Sequence, residues 1–419
     1  MCSMNRSILW AILILLIPSA CRAADDPAPL DVYGCDGRSL AEARKRWLAG
    51  DPQIVPIVKE LRDNAQKALA DGPYSVAWKK HTLPGVDPHD YVSIAPYFWP
   101  NPDTPNHLPY IARDGQRNPE FNDYDAKPLM DLTDHVYAMA LTGYLTGDQK
   151  FFDRAAALMR VWFIDPATRM NPNLDHTQVV QGIDQGRGMG IIESRRFISM
   201  IDATALMRDN RAWSADDQQN FTAWIKEYLH WLLESKNGNQ ETDNPNNHGS
   251  WYDVQVVTYS MFVGDSATAR QYLERAKTRR IAKQIEPDGQ QPLEIARTRS
   301  FGYCVFNLTA LSELADVGRR MDVDLWNYQT PDGRCIRKAI DFLLPFAMGD
   351  ATWTHPVVDG FSAKGLVVPL RRAEPIYHEQ AKYEAVISRL KGWEVPTDED
   401  REHPLLPQKI NLLLFVGGN

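Results

Sequence analysis

The chain is poor in cysteine, with five in 419 residues. It has no Cys-x-x-Cys pair, which argues against a zinc or redox centre built on thiolates. His-Glu-x-x-His is missing, so the commonest helical zinc motif is missing too. No Gly-rich phosphate loop follows a strand-like run, which argues against a Rossmann or P-loop nucleotide site. Positive charge is not in excess. With 46 Lys and Arg against 54 Asp and Glu, the formal net charge is −8. That balance argues against a nucleic-acid binder, whose footprint is basic. It does not exclude an anionic polymer, because a local Arg cluster can dominate a cleft.

Long apolar runs are also scarce. The ten residues Ile8 to Ile17 form an unbroken apolar stretch behind Arg6. That is too short to span a bilayer and suits a signal-peptide core. Ser19, Ala20, Ala23 and Ala24 supply a cleavage region, and residues 1–23 are expected to be removed. A lipoprotein site at Cys21 is the weaker reading, since Pro18 stands where such a site takes Leu. No later run is long enough to cross a membrane. The expected product is a periplasmic or secreted protein without stable membrane insertion, folded as a single domain over residues 24–419. Cys35, Cys304 and Cys335 remain in it. Export permits a disulfide, but an odd count leaves at least one free thiol and no pairing is fixed.

What is abundant is helical periodicity. Apolar residues make up 44% and charged residues 24%, ordinary globular usage. Ser214 and Asp217 form a capping-box pattern ahead of the stripe Phe221, Trp224, Ile225, Tyr228, Leu229 and Leu232, with Gly238 placed to stop the helix. Leu132 to Tyr144 and Phe152 to Phe163 read as a helical pair turning at Gly147-Asp148. Further helices are predicted near 193–208, 250–263, 266–284, 303–321, 333–347 and 376–391. Strand patterns are rare. Six to seven helical hairpins without a fixed repeat point to an all-α fold, an α/α toroid or incomplete barrel. An armadillo-like solenoid would need a repeat period, and none is visible. Residues 82–128 and 236–249 read as long loops, and loops of that length in a compact domain usually carry function.

Two segments carry candidate chemistry. The first is Asn246-Asn247-His248-Gly249-Ser250-Trp251-Tyr252. Asn247 can donate to a carboxylate, and His248 can take a proton near neutral pH. The second runs from Pro292 to Tyr303 and places Arg297 and Arg299 within two turns of Tyr303. A phenol ionises near ~10, and neighbouring positive charge would bring Tyr303 toward use. On spacing alone, a basic helix start with a core aromatic is the favoured reading.

Together, Asn246-Asn247-His248 with Trp251, and Leu293-Glu294-Ile295-Ala296-Arg297 with Tyr303, resemble the alginate-lyase superfamily of polysaccharide lyases. The segments Tyr91 to Pro100, Arg113-Asp114-Gly115, Asn118-Pro119-Glu120, Gln185-Gly186-Arg187-Gly188 and Glu193-Ser194-Arg195 are most similar to polysaccharide lyase family thirty-eight. The resemblance spans roughly residues 85–360. It implies β-elimination on a 4-linked polyuronate, with alginate first and glucuronan or another uronan next. It implies Tyr303 as general acid, His248 as base or partner of Tyr303, Asn247 on the substrate carboxylate and Arg297 on tyrosinate or carboxylate, with Arg299 a close second. Glu241 is a candidate to share a proton with the uronate. Tyr97, Trp99 and Tyr252 are candidates to stack on sugar rings; Gln185, Arg187, Arg195 and Asn246 are candidates to meet polar groups. No metal or organic cofactor is required by this scheme. The competing readings are a toroid glycoside hydrolase using two of Asp175, Asp184 and Glu193, and a non-catalytic sugar-binding protein.

Overall fold

The computed structural model describes residues 30–390 except 359, together with 405–407 and 410–415. The proposed signal peptide lies outside the described residues. The helices are α1 (Gly37–Leu48), α2 (Ile54–Lys67), α3 (Ala126–Thr146), α4 (Gln149–Phe163), α5 (Phe197–Met207), α6 (Ala215–Glu234), α7 (Lys236–Thr242) and α8 (Asn247–Val263). Then α9 (Ser266–Ala276) runs through a π-helical turn, Lys277–Ile281, into α10 (Ala282–Gln284). They are followed by α11 (Pro292–Ile295), α12 (Ser300–Arg319), α13 (Ile336–Met348), α14 (Val367–Tyr377), α15 (Gln380–Arg389) and α16 (Asn411–Leu414). Among the described residues none of them is long and apolar enough to cross a membrane.

The helices sort into two kinds. The stretches α3, α5, α8 and α12 are buried nearly all round, as a helix walled on both sides must be. In contrast, α2, α4, α6, α9 and α13 bury one stripe and expose the other face. The first kind pack on one another, α3 on α5, α5 on α8 and α8 on α12. The second kind lie against them, α4 on α3, α6 and α9 on α8, α13 on α12. This is an α/α toroid, an inner set of helices wrapped by an outer one. Among the described residues one large apolar core runs through it, with Phe163, Phe197, Phe221, Trp224 and Tyr228 in mutual edge and stacking contact, and Ile94, Phe121 and Ala126 form a small second cluster.

Several expectations need correction. Residues 236–249 are not a loop. Ser235 caps α7 by accepting from the Gly238 amide, and α8 already starts at Asn247, capped by Asn246. Gly238 therefore does not stop α6; that helix ends at Glu234, and Gly238 lies inside α7. The predicted 376–391 helix is two helices broken at His378, which has φ +54°. The first turn of the predicted 193–208 helix, up to Arg196, belongs instead to a 3-10 helix, Gly188–Arg196. Cys35, Cys304 and Cys335 are buried free thiols. Burial pushes the thiols of Cys35 and Cys304 well above their usual range.

Residues 82–128 carry most of the small amount of sheet. β1 (Val92–Ile94) pairs in parallel with β4 (His176–Val179), and β2 (Phe98–Trp99) pairs antiparallel with β3 (Ile111–Ala112). Phe98 faces Ala112 and Trp99 faces Ile111. This hairpin crosses the end of the toroid and brings residues near 97 and 114 beside the start of α12.

Candidate active site

A cavity of about 420 Å³ opens at that end. Its wall includes Asn247 and His248 from the first turn of α8, Arg297 from the approach to α12 and Tyr303 from its first turn, and Tyr97 and Asp114 from the hairpin. Gln178, Arg187, Glu193, Arg195 and Phe306 complete much of the rest. A helix N-terminus carries unpaired amides and a partial positive charge, so α8 points a favourable end toward an anion.

The start of α8 is held rigidly. Arg280, in the π turn, donates to the carbonyls of Thr242 and Asn244, and the Gln284 amide donates to that of Asn246. Gly249 lets the chain pass this guanidinium. A Cβ there would stand 2.4 Å from Arg280 Nη1 and 2.1 Å from the Asn244 carbonyl oxygen.

His248 is 9% exposed, and its Nδ1 lies 2.7 Å from Glu241 Oε1. A carboxylate on Nδ1 selects the tautomer with its proton there and leaves Nε2 as the basic nitrogen. Glu241 is 1% exposed, also accepts from Asn244, and is not on the cavity wall. The expectation that Glu241 meets the uronate directly is thus replaced by a bond to His248. Asn247 lies 2.7 Å from Glu294 through its Nδ2 and 2.6 Å through its backbone N–H. Burial raises Glu294 above the usual carboxylate range, against the pull of the two bonds from Asn247.

Tyr303 and Arg297 form the third pair. Arg297 Nη2 donates to the Tyr303 hydroxyl at 2.9 Å, and its guanidinium lies 3.9 Å from that ring's centre. The other acceptor of Arg297 is Asp114, bound through two nitrogens at 2.7 and 3.2 Å. Tyr303 in turn donates to the Tyr97 hydroxyl at 3.2 Å. Burial pushes the Tyr303 phenol above its usual range; Tyr97 adds to this and Arg297 opposes it. The expectation of a net lowering by positive charge fails because desolvation of the anion outweighs one guanidinium whose charge Asp114 already offsets. Asp114, raised by burial but bound by Arg297 and Thr298, ends below the usual carboxylate range. Gly115 permits this approach: it has φ +78°, and a Cβ would lie 2.5 Å from Thr298 Oγ1.

Of the proposed sugar-binding residues, Tyr97, Arg187 and Arg195 reach the cavity. Arg187 is anchored by Gln178, whose carbonyl and side chain accept from it at 3.1 and 3.3 Å, and it lies over the Phe98 ring. Burial lowers its pKa from the usual guanidinium value. The other five do not line the wall. Trp99 pins its own loop by donating to the Gln116 carbonyl. Tyr252 is 1% exposed and, one turn further along α8, donates to the Leu232 carbonyl near the end of α6. Gln185 places its backbone carbonyl on His176. Asn246 is the cap of α8, and Arg299 precedes α12 and pairs by backbone with Val357. Arg297, not Arg299, is the guanidinium on the cavity.

Sequence reasoning gave no role to Glu294, Asp114, Gln178 or Arg117, all but Glu294 of which line the cavity. Glu294 and Asp114 stood inside quoted motifs, and a carboxyl three residues before Arg297 was a usable signal. Nothing local marked Gln178, whose φ of +45° is rare for a residue with a side chain. Among the described residues no cluster of three His, Cys, Asp or Glu could hold a metal ion.

A model of the family described as alginate lyase matches residues 75–353, more than half of the chain. The chain belongs to the alginate lyase family. It is accordingly a polysaccharide lyase. The structure of an alginate lyase from Bacteroides ovatus is 33% identical, with a TM-score of 0.84, covering 93% of this chain and all of that one. Alginate lyase A1-III, as a histidine-to-alanine variant complexed with a tetrasaccharide, is 15% identical with a TM-score of 0.55, over 95% of this chain and 99% of that one. Its tyrosine-to-phenylalanine variant, also with a tetrasaccharide, is 15% identical with a TM-score of 0.52, over 95% and 100%. These two speak for the toroid fold. No curated protein matches the chain.

Proposed function

We propose that this lyase cleaves alginate, a 4-linked polyuronate, by β-elimination, acting as an exported protein after loss of residues 1–23. The observation that carries this reading is the Tyr303 hydroxyl, 2.9 Å from Arg297 and 3.2 Å from Tyr97, on one cavity with His248 and Asn247.

The chemistry follows from the substrate. A uronate C5 proton is barely acidic while the adjacent carboxylate is charged, so that carboxylate must first be neutralised. Asn247 and the α8 N-terminus supply the hydrogen-bonding side. His248 Nε2, the ring nitrogen not engaged by Glu241, or a Tyr303 phenolate, then removes the C5 proton, depending on which face carries it. The electron pair forms the C4–C5 double bond, the C4–O4 bond breaks, and the Tyr303 hydroxyl protonates O4. Arg297 stabilises the phenolate so formed. Arg187 and Arg195 add positive charge for neighbouring uronates.

Two carboxyls facing each other across the cleft, as a hydrolase needs, are not found among Asp175, Asp184 and Glu193. Asp175 accepts from Trp231 and Asp184 from the Val180 amide, both off the wall; Glu193 is on it but accepts from the Tyr91 hydroxyl.

The test is ultraviolet absorbance of an unsaturated uronate on polymannuronate, polyguluronate, glucuronan and a neutral glucan. Absorbance should rise on an alginate block and vanish in Tyr303→Phe. A rise on glucuronan alone would move the substrate, and reducing ends without absorbance would sink the lyase chemistry.

A further inference from the structure

Three polar groups on the reactive wall, His248, Arg297 and Asn247, are each bonded to a carboxyl, and the one bonded to Asn247 is placed oddly for its task. Glu294 is 1% exposed. Its two oxygens take the Asn247 backbone N–H and Nδ2 at 2.6 and 2.7 Å. Accepting at both oxygens is the pattern of an ionised carboxyl. The amide donor is thereby turned away from a substrate, and Asn247 Oδ1 is buried without a hydrogen-bond partner among the described residues. An unpaired buried carbonyl is costly. A substrate carboxylate arriving at Asn247 would meet a carbonyl oxygen, with a second negative charge directly behind it.

One proton removes both conflicts. If Glu294 is protonated, its hydroxyl can donate to Asn247 Oδ1. The amide then sits turned over, its backbone N–H still on the other Glu294 oxygen, and Nδ2 takes the position that Oδ1 held. Resting on the polyuronate reading above, we propose that Glu294 is a positioning residue that takes up a proton as a uronate binds, turning the Asn247 amide so that its N–H₂ meets the substrate carboxylate. The proton comes from solvent; no covalent bond other than the Glu294 O–H forms or breaks.

The surroundings allow it. Arg297, one turn further on, and His248, from α8, face Glu294 and favour its charge; the Cys304 thiol from α12 lies beside it, and burial disfavours the charge more strongly than these cations favour it. An incoming carboxylate adds like charge and moves the balance further toward protonation.

The test uses the full chain with Tyr303→Phe, so that a bound mannuronate oligomer is not cleaved. Calorimetry in two buffers of different ionisation enthalpy reads the protons taken up on binding at pH 7 to 8. The Tyr303→Phe chain should take up close to one more proton than the same chain with Glu294→Gln. The glutamine amide of that variant keeps an acceptor for the backbone and donates permanently to Oδ1. The affinity of the Tyr303→Phe chain should therefore fall with pH, by up to about tenfold per unit once Glu294 ionises in the free protein. At pH 8 the chain that also carries Glu294→Gln should bind at least about tenfold more tightly, the same tenfold per unit accumulated over one unit or more. Asn247→Ala, which removes the amide and leaves Glu294, should abolish the extra uptake. Equal uptake with and without Glu294→Gln, uptake that survives Asn247→Ala, or loss of binding at every pH in a folded Glu294→Gln chain would overturn the proposal. Turnover by the unmodified protein tests the lyase reading separately: a uronan lyase whose proton uptake ignores Glu294 keeps that reading and loses only this one.

Discussion

Helix α8 belongs to two ionic assemblies, and they are built on opposite terms. Two turns in, Asp253 is wholly buried and both its oxygens are occupied. Arg280 binds one through Nε at 2.8 Å and the other through Nη2, which Arg275 also reaches at 2.6 Å. Arg280 uses all three of its nitrogens, two of them on backbone carbonyls of the 242–244 segment. At its first turn, α8 carries Asn247 and His248, each tied to a carboxyl on one side only. Asn247 Oδ1 is unpaired, and the Nε2 of His248 remains for the cavity. A network whose task is to hold a loop closes on itself, because any unmatched buried charge costs several kcal/mol. A network whose task is to receive a ligand must leave atoms unmatched until the ligand arrives.

That contrast can be broken at either end. The largest effect on stability is expected for Arg280→Met, which strips Asp253 of one partner and frees the chain ahead of α8. A loss of about 3 kcal/mol or more should appear in chemical or thermal unfolding, with activity falling alongside. A small loss would mean that Arg275 alone suffices. His248→Ala should do the reverse, lowering kcat by roughly 10²–10⁴-fold on at least one alginate block while the unfolding midpoint barely moves. Glu241→Gln should lie between that variant and the unmodified protein. The glutamine oxygen can still accept from Nδ1, so a drop of about tenfold is expected, from the weaker neutral bond. A loss equal to that of His248→Ala would give Glu241 a role beyond orienting the ring.

A subtler test concerns Asp114. Its charge raises the Tyr303 phenol and offsets Arg297. Asp114→Asn leaves the guanidinium less neutralised, so the phenol should ionise at lower pH. The alkaline limb of the kcat/KM profile should therefore move to lower pH, and a move upward would contradict the geometry. The smallest effect is expected far from the cavity. Asp202 is buried on α5, accepts from the amides of Tyr33 and Gly34 at 2.7 and 2.8 Å, and burial raises its pKa to about 6. A carboxyl raised on folding binds more protons in the native state. Its contribution is present below about pH 4 and is lost as pH rises through about 6. Asp202→Asn should flatten that part of the stability–pH curve, read by Tm from pH 4 to 7.

Much was legible in advance where the signal is local. The stripe from Phe221 to Leu232, the Ser214–Asp217 capping box and the Gly147 turn stand as read, because side chains four apart on a helix must share a face whatever surrounds them. Asn247, His248, Arg297 and Tyr303 were reachable because they sit in compact motifs. Tyr252 was misplaced because a shared helix face does not fix what that face meets. It lies four residues after His248, one turn further into the fold, where it is buried at 1% exposure with its hydroxyl on the Leu232 carbonyl. Residues 236–242 were misread as loop because Asn, Gly and Thr lower helix propensity; packing of the buried Asn237, Gly238 and Glu241 overrides it.

The sequence by itself determined the helical hairpins and the short motifs that bear the chemistry. Each rests on periodicity or on neighbours a few residues apart. Only the tertiary structure decided which carboxyl stands behind which reactive group: Glu241 behind His248, Glu294 behind Asn247, and Asp114, 183 residues away in the chain, behind Arg297. These pairings are set by the angle at which one helix end meets a hairpin from elsewhere, and no spacing along the chain encodes it.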